Sequence, residues 1–428
     1  MATASFEVEN PKEFLEKALF WANQFQDFAY YNSNNFDDVY SKLTSFLAVE
    51  ALDSFQYDGE ETFEKIEKFK TGYPNHWIPG FFSYDLKNEI EDLATRFPNY
   101  LDFPEAYFFI PKTTLSFAQN RVNIDSENPS IIFQEINAQL IPELRVPFSG
   151  AFEKRMSKKS YFEAFEHMQR HIQLGDIYEV NLCQEFFAEQ TKINPIQTYL
   201  KLDELSPTPF SVLFKQQHNY IISATPERFL AKRGQKLISQ PIKGTAKRGL
   251  TDTEDTNIKQ ALLHNPKEIA ENLMIVDLVR NDLTKSAVLG TVQVERKLEV
   301  QSFQQVHQLV STITCQLNPE ITATQAIKNT FPAGSMTGAP KISAMELCEK
   351  YENSKRGIYS GAVGYFAPDG HFDFNVIIRS LVYNQRTGYL SFHTGGAITN
   401  ASEVEKEYEE CLVKAEAILK VFGTSLED

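Results

Sequence analysis

The sequence is poor in cysteine and in basic residues, and each shortage excludes a class of protein. Only 4 cysteines occur among 428 residues, far apart and without a Cys-x-x-Cys pair. Such spacing predicts neither a disulfide framework nor a zinc knuckle, and it favours a reducing compartment. The 42 Lys and Arg residues are outnumbered by 57 Asp and Glu, for a formal net charge of −15. This balance argues against nucleic acid or an anionic membrane as a partner.

Long apolar runs are missing as well. No stretch approaches 18 consecutive apolar residues, so we predict no membrane-spanning helix. Residues 1–10 lack the basic region and apolar run that an export signal requires. We therefore expect a cytoplasmic protein.

The chain is rich in aromatic residues, with 34 Phe and 18 Tyr in a composition that is 42% hydrophobic. This supply is sufficient for a large core. Capped helical patterns alternate with short β-branched or aromatic runs, which indicates an α+β protein. A polar run near 148–157 marks a boundary, so we divide the chain into regions 1–150 and 151–428.

A lysine lies in the pentapeptide 241–245, Pro-Ile-Lys-Gly-Thr. Proline fixes φ ahead of Lys243, and Gly244 allows a ligand to approach the backbone closely, so the lysine is a candidate nucleophile. An amine attacks only when neutral, and this role therefore requires burial or a neighbouring cation to lower the pKa of Lys243. The alternative is a solvated lysine at the end of a hairpin.

Two helical segments carry acids at helical spacing. Glu268 and Glu271 share one face of a helix predicted over 267–283. A final helix, which we expect Ser402 to cap with Glu405 three residues on, presents a polar stripe. Together the two faces suggest a carboxylate site for Mg²⁺, whereas each face alone is typical of a solvated surface. The stripe contains Glu403, Glu407, Glu410 and Lys414.

Other polar residues lie on connections. Glu227 is in the turn 225–228 between two strands, where the alternative is an exposed turn acid. Arg379 is near the end of a strand predicted over 371–383, and an arginine on a buried face there needs a carboxylate from protein or ligand. The glycine-containing loop 331–341 leads into a helix but lacks the phosphate-binding P-loop spacing.

The motifs, taken together and in this order, resemble the chorismate-utilising enzymes, which include anthranilate, aminodeoxychorismate, isochorismate and salicylate synthases. The resemblance covers 157–422, and the region 1–150 is similar to this family's variable N-terminal part. It implies two antiparallel sheets in a sandwich flanked by helices, with 1–150 packed on the same sandwich and 151–428 forming the catalytic region. The motifs are GDIYEVN (175–181), TPERF (225–229), PIKGT (241–245), AENLMIVDLVRNDL (270–283), PAGSMTGAPK (332–341) and the final acidic helix.

The same resemblance implies roles for particular residues. Glu271 and Glu410 correspond to Mg²⁺ ligands, and Glu268 and Glu407 to supporting positions that act through water. Gly244 and Thr245 correspond to residues that line the ring pocket. The groups that hold the substrate's carboxylates correspond to Tyr359, Arg379, Gly395 and Lys414.

Lysine in PIKGT resembles the aminodeoxychorismate synthase component I branch, since other branches typically have alanine. The resemblance implies amination of chorismate to 4-amino-4-deoxychorismate for folate synthesis through para-aminobenzoate, by a covalent Lys243 adduct with Glu227 as the acid. Ammonia would come from a separate glutamine amidotransferase subunit. The alternatives are anthranilate synthase component I and a catalytically silent subunit that binds a glutaminase or a metabolite.

Three residues depart from the family pattern. Glu179 replaces the lysine base of the enzymes that add water, which disfavours isochorismate or salicylate formation. Gln308 replaces a histidine common just before Leu-Val-Ser. Ala397 stands where a third glycine is common in the Gly-Gly turn that we expect at 395–397.

Overall fold

The computed structural model describes residues 2–36, 38–143, 148, 150–304 and 306–426. The helices are Pro11–Ala22 (α1), Thr62–Gly72 (α2), Lys87–Ile90 (α3), Pro129–Ala138 (α4), Lys158–Leu174 (α5), Pro195–Leu205 (α6), Asp252–Leu263 (α7), Pro266–Thr284 (α8), Ala323–Thr330 (α9), Lys341–Tyr351 (α10) and Val404–Phe422 (α11). The strands are Ala2–Glu7 (β1), Asp27–Asn32 (β2), Ser45–Gln56 (β3), Ile78–Phe82 (β4), Ala106–Ala118 (β5), Arg121–Ser126 (β6), Glu153–Lys154 (β7), Glu179–Ala188 (β8), Phe210–Gln216 (β9), Asn219–Thr225 (β10), Arg228–Arg233 (β11), Lys236–Gln240 (β12), Ile242–Lys247 (β13), Gln293–Ser302 (β14), Val306–Gln316 (β15), Gly338–Ala339 (β16), Ala362–Phe366 (β17), Phe372–Val376 (β18), Ser380–Asn384 (β19) and Tyr389–Ile398 (β20).

Several helices begin at an Asn-Pro pair. In α1, α6 and α8 the asparagine side chain accepts a hydrogen bond from a backbone N–H of the first turn, and proline follows at the first helical position. Asparagine satisfies an otherwise unpaired donor, and proline loses nothing there because its nitrogen has no hydrogen to donate. The start of α8 matters most for function. Asn265 accepts from the N–H groups of Lys267 and Glu268, so it sets the first turn of the helix that carries both residues.

The strands pair antiparallel in two series that share β5. One series runs β1, β6, β5, β3, β2, β9, β10, β19, β20 and β8. The other runs β5, β4, β17, β18, β11, β12 and β15, and β15 also pairs with β13 and β14.

Aromatic side chains fill the space between the two series. Tyr31 of β2 donates a hydrogen bond to the carbonyl of Gly364 in β17 at 2.5 Å, and its ring centroid lies 5.4 Å from that of Tyr365. Phe81 of β4 packs edge-on against Phe214 of β9, with centroids 5.4 Å apart. These contacts join one series to the other face to face, so the predicted two-sheet sandwich is confirmed.

Helices cover the two outer faces of the sandwich. The first series packs against α1, α4, α6 and α11 through one apolar cluster, and the second against α2, α8 and α9 through another. The helices α8 and α11 therefore approach the sandwich from the two series, and the candidate site lies between them.

The N-terminal region contributes strands to both series. β2 lies between β3 and β9, and β4 lies between β5 and β17. The boundary at residue 150 stays a prediction.

Three local predictions are wrong. The strand predicted over 371–383 is broken between β18 and β19, because Arg379 adopts a φ of 53° that no regular strand allows. The turn expected at 395–397 is instead part of β20, since these residues continue the antiparallel pairing with β8. Ser402 does not cap α11. Its hydroxyl accepts from the N–H of Thr399, and Glu403 is the cap residue.

All four cysteines are buried with free thiols, as predicted. No helix in the described ranges is long and apolar enough to cross a membrane.

Candidate active site

A cavity of about 640 Å³ opens between the turn after β10, the strands β13 and β20, and the helices α8 and α11. The residues predicted to act on substrate or metal come from seven separate parts of the chain, and all of them line this one cavity. Their individual roles stay predictions. The lining includes Glu227, Lys243, Gly244, Thr245, Glu268, Glu271, Tyr359, Arg379, Gly395, Glu407, Glu410 and Lys414.

An irregularity in β13 positions Lys243. The register between β13 and β15 shifts between Ile242 and Thr245, so the two intervening residues leave the regular pairing. Gly244 adopts a φ of 90°, and a Cβ there would lie 3.0 Å from Oε2 of Glu268. Only glycine accommodates both the left-handed backbone and this close approach. The lysine side chain is 11% exposed, so the solvated-lysine alternative is wrong.

The environment of Lys243 differs from the one that the sequence argument requires. Its Nζ lies 2.7 Å from Oε1 of Glu179, which is 1% exposed. Burial acts to lower the pKa of Lys243, but the negative charges of Glu179 and Glu271 overcome that effect and raise the pKa above its ordinary value. Lys243 is therefore an ammonium in this arrangement. The lowering of the pKa that a nucleophilic role requires is absent in this arrangement, because carboxylates, and not a cation, are the neighbours of Lys243.

Glu227 is buried, with 3% of its surface exposed, and the exposed-acid alternative is therefore wrong. The hydroxyl of Ser335 donates to its Oε1 at 2.5 Å. Burial raises the pKa of Glu227 to about 7, although the hydrogen bond from Ser335 and the charge of Lys243 act in the opposite direction. A carboxyl that titrates near neutrality can deliver a proton to a substrate, as a general acid must.

Ser335 is a contact that sequence reasoning did not identify. It lies on the loop 331–341, for which the sequence indicated only a junction with a helix and no phosphate-binding P-loop. Arg356 fastens this loop to β8 by donating to the carbonyls of Met336 and Asn181, both at 2.7 Å, and it pairs with buried Glu352. The sequence shows a serine between two glycines, but it does not show that the partner of this serine is Glu227, which is remote in sequence.

Lysines interleave with the acids of α8 and α11. The ammonium of Lys267 lies 3.1 Å from Oε1 of Glu407 and 3.7 Å from Oε1 of Glu271. Lys414 lies 2.7 Å from Oε1 of Glu410. Lys267 was not identified from sequence, although its position four residues before Glu271 places both on one face of α8.

The pKa values of these acids follow their partners. Burial raises the pKa of Glu271 to about 7 against the opposing charges of Lys243 and Lys267, and burial also raises the pKa of Glu268. Burial acts the same way on Glu410, but Lys414 overcomes it and lowers the pKa. The charge of this region is therefore balanced by lysines.

No three or more acidic, His or Cys side chains converge closely enough within the described ranges to form a metal-binding group. The ammonium of Lys267 stands between two of the predicted ligands, which explains why they do not converge. The donor chemistry nevertheless fits Mg²⁺, because all four predicted ligands are carboxylates. Oε1 of Glu271 is also buried without a hydrogen-bond partner in the described residues. The Mg²⁺ site stays a prediction.

The same cavity also carries groups suited to an anion. Arg379 forms no ion pair with any described residue. Lys414 donates to the carbonyl of Gly395 at 2.6 Å. The ring of Tyr359 stacks on His393 at 5.0 Å, and burial lowers the pKa of His393 to about 4, so this histidine is neutral. His393 is a further cavity residue that the sequence argument missed.

Two of the three departures from the family pattern also reach the cavity. The amide of Gln308 is directed toward the hydroxyl of Thr245 at 3.5 Å, and its Oε1 is buried without a hydrogen-bond partner among the described residues. Ala397 lies in β20 beside Gly395 and Gly396. The third, Glu179, reaches the site through Lys243.

A lysine and a protonatable acid share this cavity with an arginine that forms no ion pair among the described residues, an arrangement that suits an enzyme acting on an anionic substrate. The chain belongs to the chorismate binding enzyme family, whose profile matches residues 8–420. It is therefore a chorismate-utilising enzyme, and the predicted family resemblance is confirmed.

Among its relatives, the chain is 33% identical to aminodeoxychorismate synthase component 1 from Escherichia coli (strain K12), over 80% of this chain and 76% of that protein. It is 39% identical to aminodeoxychorismate synthase from Streptomyces griseus over 66% of this chain, but the match spans only 39% of that longer protein. Anthranilate synthase component 1 from Thermus thermophilus is 32% identical over 80% of this chain and 76% of its own length.

The fold is shared with a solved structure. The crystal structure of anthranilate synthase component I from Streptococcus pneumoniae TIGR4 superposes with a TM-score of 0.76 over 90% of this chain and 95% of that chain. The sequence identity is 24%, so this likeness shows the architecture alone.

Proposed function

We propose that the chain aminates chorismate with ammonia to give 4-amino-4-deoxychorismate, in the para-aminobenzoate branch of folate synthesis. The observation that carries the proposal is that Lys243 and Glu227 line one cavity. Lys243 supplies a primary amine on a side chain that is only 11% exposed, and Glu227 has a pKa near neutrality. A covalent route needs these two groups, a nucleophile and an acid for the leaving hydroxyl.

Chorismate is a dianion, and the charges of the cavity suit one. Arg379 lacks a protein partner among the described residues, so a substrate carboxylate can pair with it without displacing another acid. Tyr359, Gly395 and Lys414 line the same cavity as Arg379, and we assign all four to carboxylate binding. Gly244 and Thr245 would face the ring. This assignment supports the ligand alternative for Arg379.

The four carboxylates of α8 and α11 would hold Mg²⁺, with Glu271 and Glu410 as direct ligands and Glu268 and Glu407 in support. When bound, the ion neutralises carboxylate charge and so lets an acidic protein bind an anion. This chain's own part is to supply the oxygen donors and to move Lys267 away from Glu271 and Glu407.

The reaction proceeds in two displacements. The neutral amine of Lys243 forms a bond to C2 of the ring, the C1=C2 and C5=C6 electron pairs shift to C1=C6 and C4=C5, and the C4–O bond breaks. Glu227 gives its proton to the departing hydroxyl, which leaves as water. Ammonia then bonds to C4, the electron pairs shift back, and Lys243 leaves as an amine. The new ammonium returns a proton to Glu227, which restores the acid.

The ammonia would come from a separate glutamine amidotransferase subunit. The relative from Escherichia coli is named component 1, which is consistent with a second component. We expect the isolated chain to use ammonium and not glutamine. Glutamine-dependent turnover by the chain alone would contradict the assignment of a separate subunit.

The test is Lys243→Ala, assayed with chorismate, Mg²⁺ and ammonium by product chromatography. Amination should fall by orders of magnitude because the covalent catalyst is lost, while Mg²⁺ binding persists. Intact-mass spectrometry without ammonia should show an adduct on the wild type that the variant lacks. Lys247→Ala is the matched control, since this lysine of the same strand is 66% exposed and should leave turnover unchanged. Full amination by Lys243→Ala would refute the covalent route.

The second candidate is anthranilate synthase component I, which the 32% identity to the Thermus thermophilus protein favours. It would require elimination of pyruvate in the same cavity. Anthranilate as the main wild-type product would establish this alternative and overturn the proposed function. A wild-type chain that binds chorismate without any Mg²⁺-dependent turnover would instead support a silent subunit.

A further inference from the structure

The nucleophile of the proposed reaction carries a proton that it must lose before it can react. Lys243 must lose a proton before its nitrogen can form a bond to carbon, yet it lies in an ion pair. Among the described residues, Glu179 is the only carboxylate within 4.0 Å of its Nζ. Glu179 is therefore the residue to which Lys243 can pass that proton directly.

The position of Glu179 is set by its backbone. It is the first residue of β8, where it pairs with Ala339. A Cβ on the neighbouring Gly338 would lie 2.1 Å from the carbonyl oxygen of Glu179, so β8 and β16 approach each other as closely as only glycine permits. The backbone from which the carboxylate extends is therefore closely packed, and the side chain meets Nζ of Lys243 at 2.7 Å, within reach for direct proton transfer.

The surroundings of Glu179 leave its carboxylate one close charged partner among the described residues. The side chain is 1% exposed, and its Oε2 is buried without a hydrogen-bond partner in the described part of the chain. One oxygen of the carboxylate therefore lies against Lys243, and the other has no competing donor among the described residues. Once the proton moves, the pair becomes a neutral acid beside a neutral amine, which a water-poor site tolerates.

We infer that Glu179 is the general base that takes the proton from Lys243 and holds it while the adduct exists. This inference rests on the proposed function. One N–H bond of the ammonium breaks, an O–H bond forms on Glu179, and the freed electron pair makes the bond to C2. When ammonia displaces the lysine, the departing neutral amine recovers the same proton. The proton is conserved over the cycle and no outside base is needed.

The test compares Glu179→Gln with the wild type in the rate of adduct formation at neutral pH, with chorismate and Mg²⁺ but no ammonia. The amide keeps the shape but accepts no proton, so we expect a loss of about 100-fold, within the range of general base catalysis. Chorismate affinity should be unchanged. Raising the pH should rescue the variant roughly tenfold per unit, because solvent then deprotonates the lysine. The carboxylates that face Lys243 are Glu179, Glu227 and Glu271.

A purely electrostatic role predicts the opposite. Removing the negative charge of Glu179 would then favour the neutral amine, and the variant would form adduct as fast as the wild type or faster, which overturns the inference. Glu185→Gln is the matched control, since Glu185 is a buried acid of the same strand that pairs with Arg155. Glu179→Asp, which keeps a carboxylate, should retain more activity than Glu179→Gln. Equal activities would also overturn the inference.

The outcomes for the two proposals are distinguishable. If the wild type forms no adduct, the covalent route of the proposed function fails and the inference about Glu179 fails with it. If the wild type forms the adduct and Glu179→Gln is unimpaired, only the role of Glu179 is refuted.

Discussion

Removing the hydroxyl of Ser335 should change the pH at which the enzyme loses activity. In Ser335→Ala, Glu227 loses the hydrogen bond of 2.5 Å that stabilises its charged form. Hydrogen bonds to charged groups contribute about 1.5–3 kcal/mol. The protonated carboxyl retains part of that interaction in the wild type, so the difference between the two forms is at the low end, about 1.4 kcal/mol, which corresponds to a pKa change of about one.

The direction follows from the role of Glu227 as an acid. The wild-type carboxyl has a pKa of about 7, and activity that needs its proton should fall above that pH. Because loss of the hydrogen bond raises the pKa of Glu227 further, the fall in Ser335→Ala should begin roughly one pH unit higher. The variant should therefore outperform the wild type, relative to its own maximum, in mildly alkaline solution.

The assay is the second-order rate of adduct formation at low chorismate, which reports groups of the free enzyme and avoids the titration of ammonium itself. Ser239→Ala is the matched control, because Ser239 is a buried serine whose hydroxyl donates to the carbonyl of Phe229 and not to Glu227. If the rate of adduct formation by Ser335→Ala falls at the same pH as that of the wild type, or at a lower pH, the assignment of Glu227 as the acid is refuted.

Two further predictions concern charge. Glu227→Gln should raise stability in mildly alkaline solution. The pKa of Glu227 in the folded protein, about 7, lies above the ordinary 4.5, so the charged acid destabilises the fold by an amount that grows as pH rises from about 4.5 to about 7 and reaches roughly 3 kcal/mol. Urea unfolding should therefore show a gain in stability for Glu227→Gln in mildly alkaline solution and no gain in acid. Equal gains at both pH values would contradict the argument. Lys267→Met should tighten Mg²⁺ binding by several-fold in calorimetry, because the ammonium competes with the ion for Glu271 and Glu407. Lys420→Met, which removes an exposed lysine, is its control, and unchanged or weaker binding in Lys267→Met would show that no such competition exists.

Local chemistry made many elements of the fold predictable. The Asn-Pro pair before Lys267 and the Ser157 cap with Gly175 at the other end both satisfy backbone groups of their own helices, so a sequence window contains all the needed information. The break at Arg379 was not predictable in this way. A positive φ in a non-glycine residue is maintained by surrounding structure, and neighbours in sequence do not report it.

The same distinction applies to the site, where local patterns were predictable and contacts between distant segments were not. The residue types and their spacing along α8 identified Glu268 and Glu271, because residues three apart share a helix face. The protonation states were not predictable, since they depend on partners from distant segments. Glu179 lies far before Lys243 in the chain but 2.7 Å from it in space, and this contact, together with the charge of Glu271, raises the pKa of a lysine whose nucleophilic role requires a lower one.

The interleaving of β2 and β4 with later strands has a consequence for how the chain folds during synthesis. β4 is complete early, but its partner β17 emerges from the ribosome only after most of the chain has been made. Pairings between segments so remote in sequence give a high contact order, which slows folding and leaves strand edges unpaired in the meantime. We therefore expect nascent chains to remain dependent on chaperones until β17 and the strands that follow it have been made, and the cavity is complete only when α11 has formed beside them.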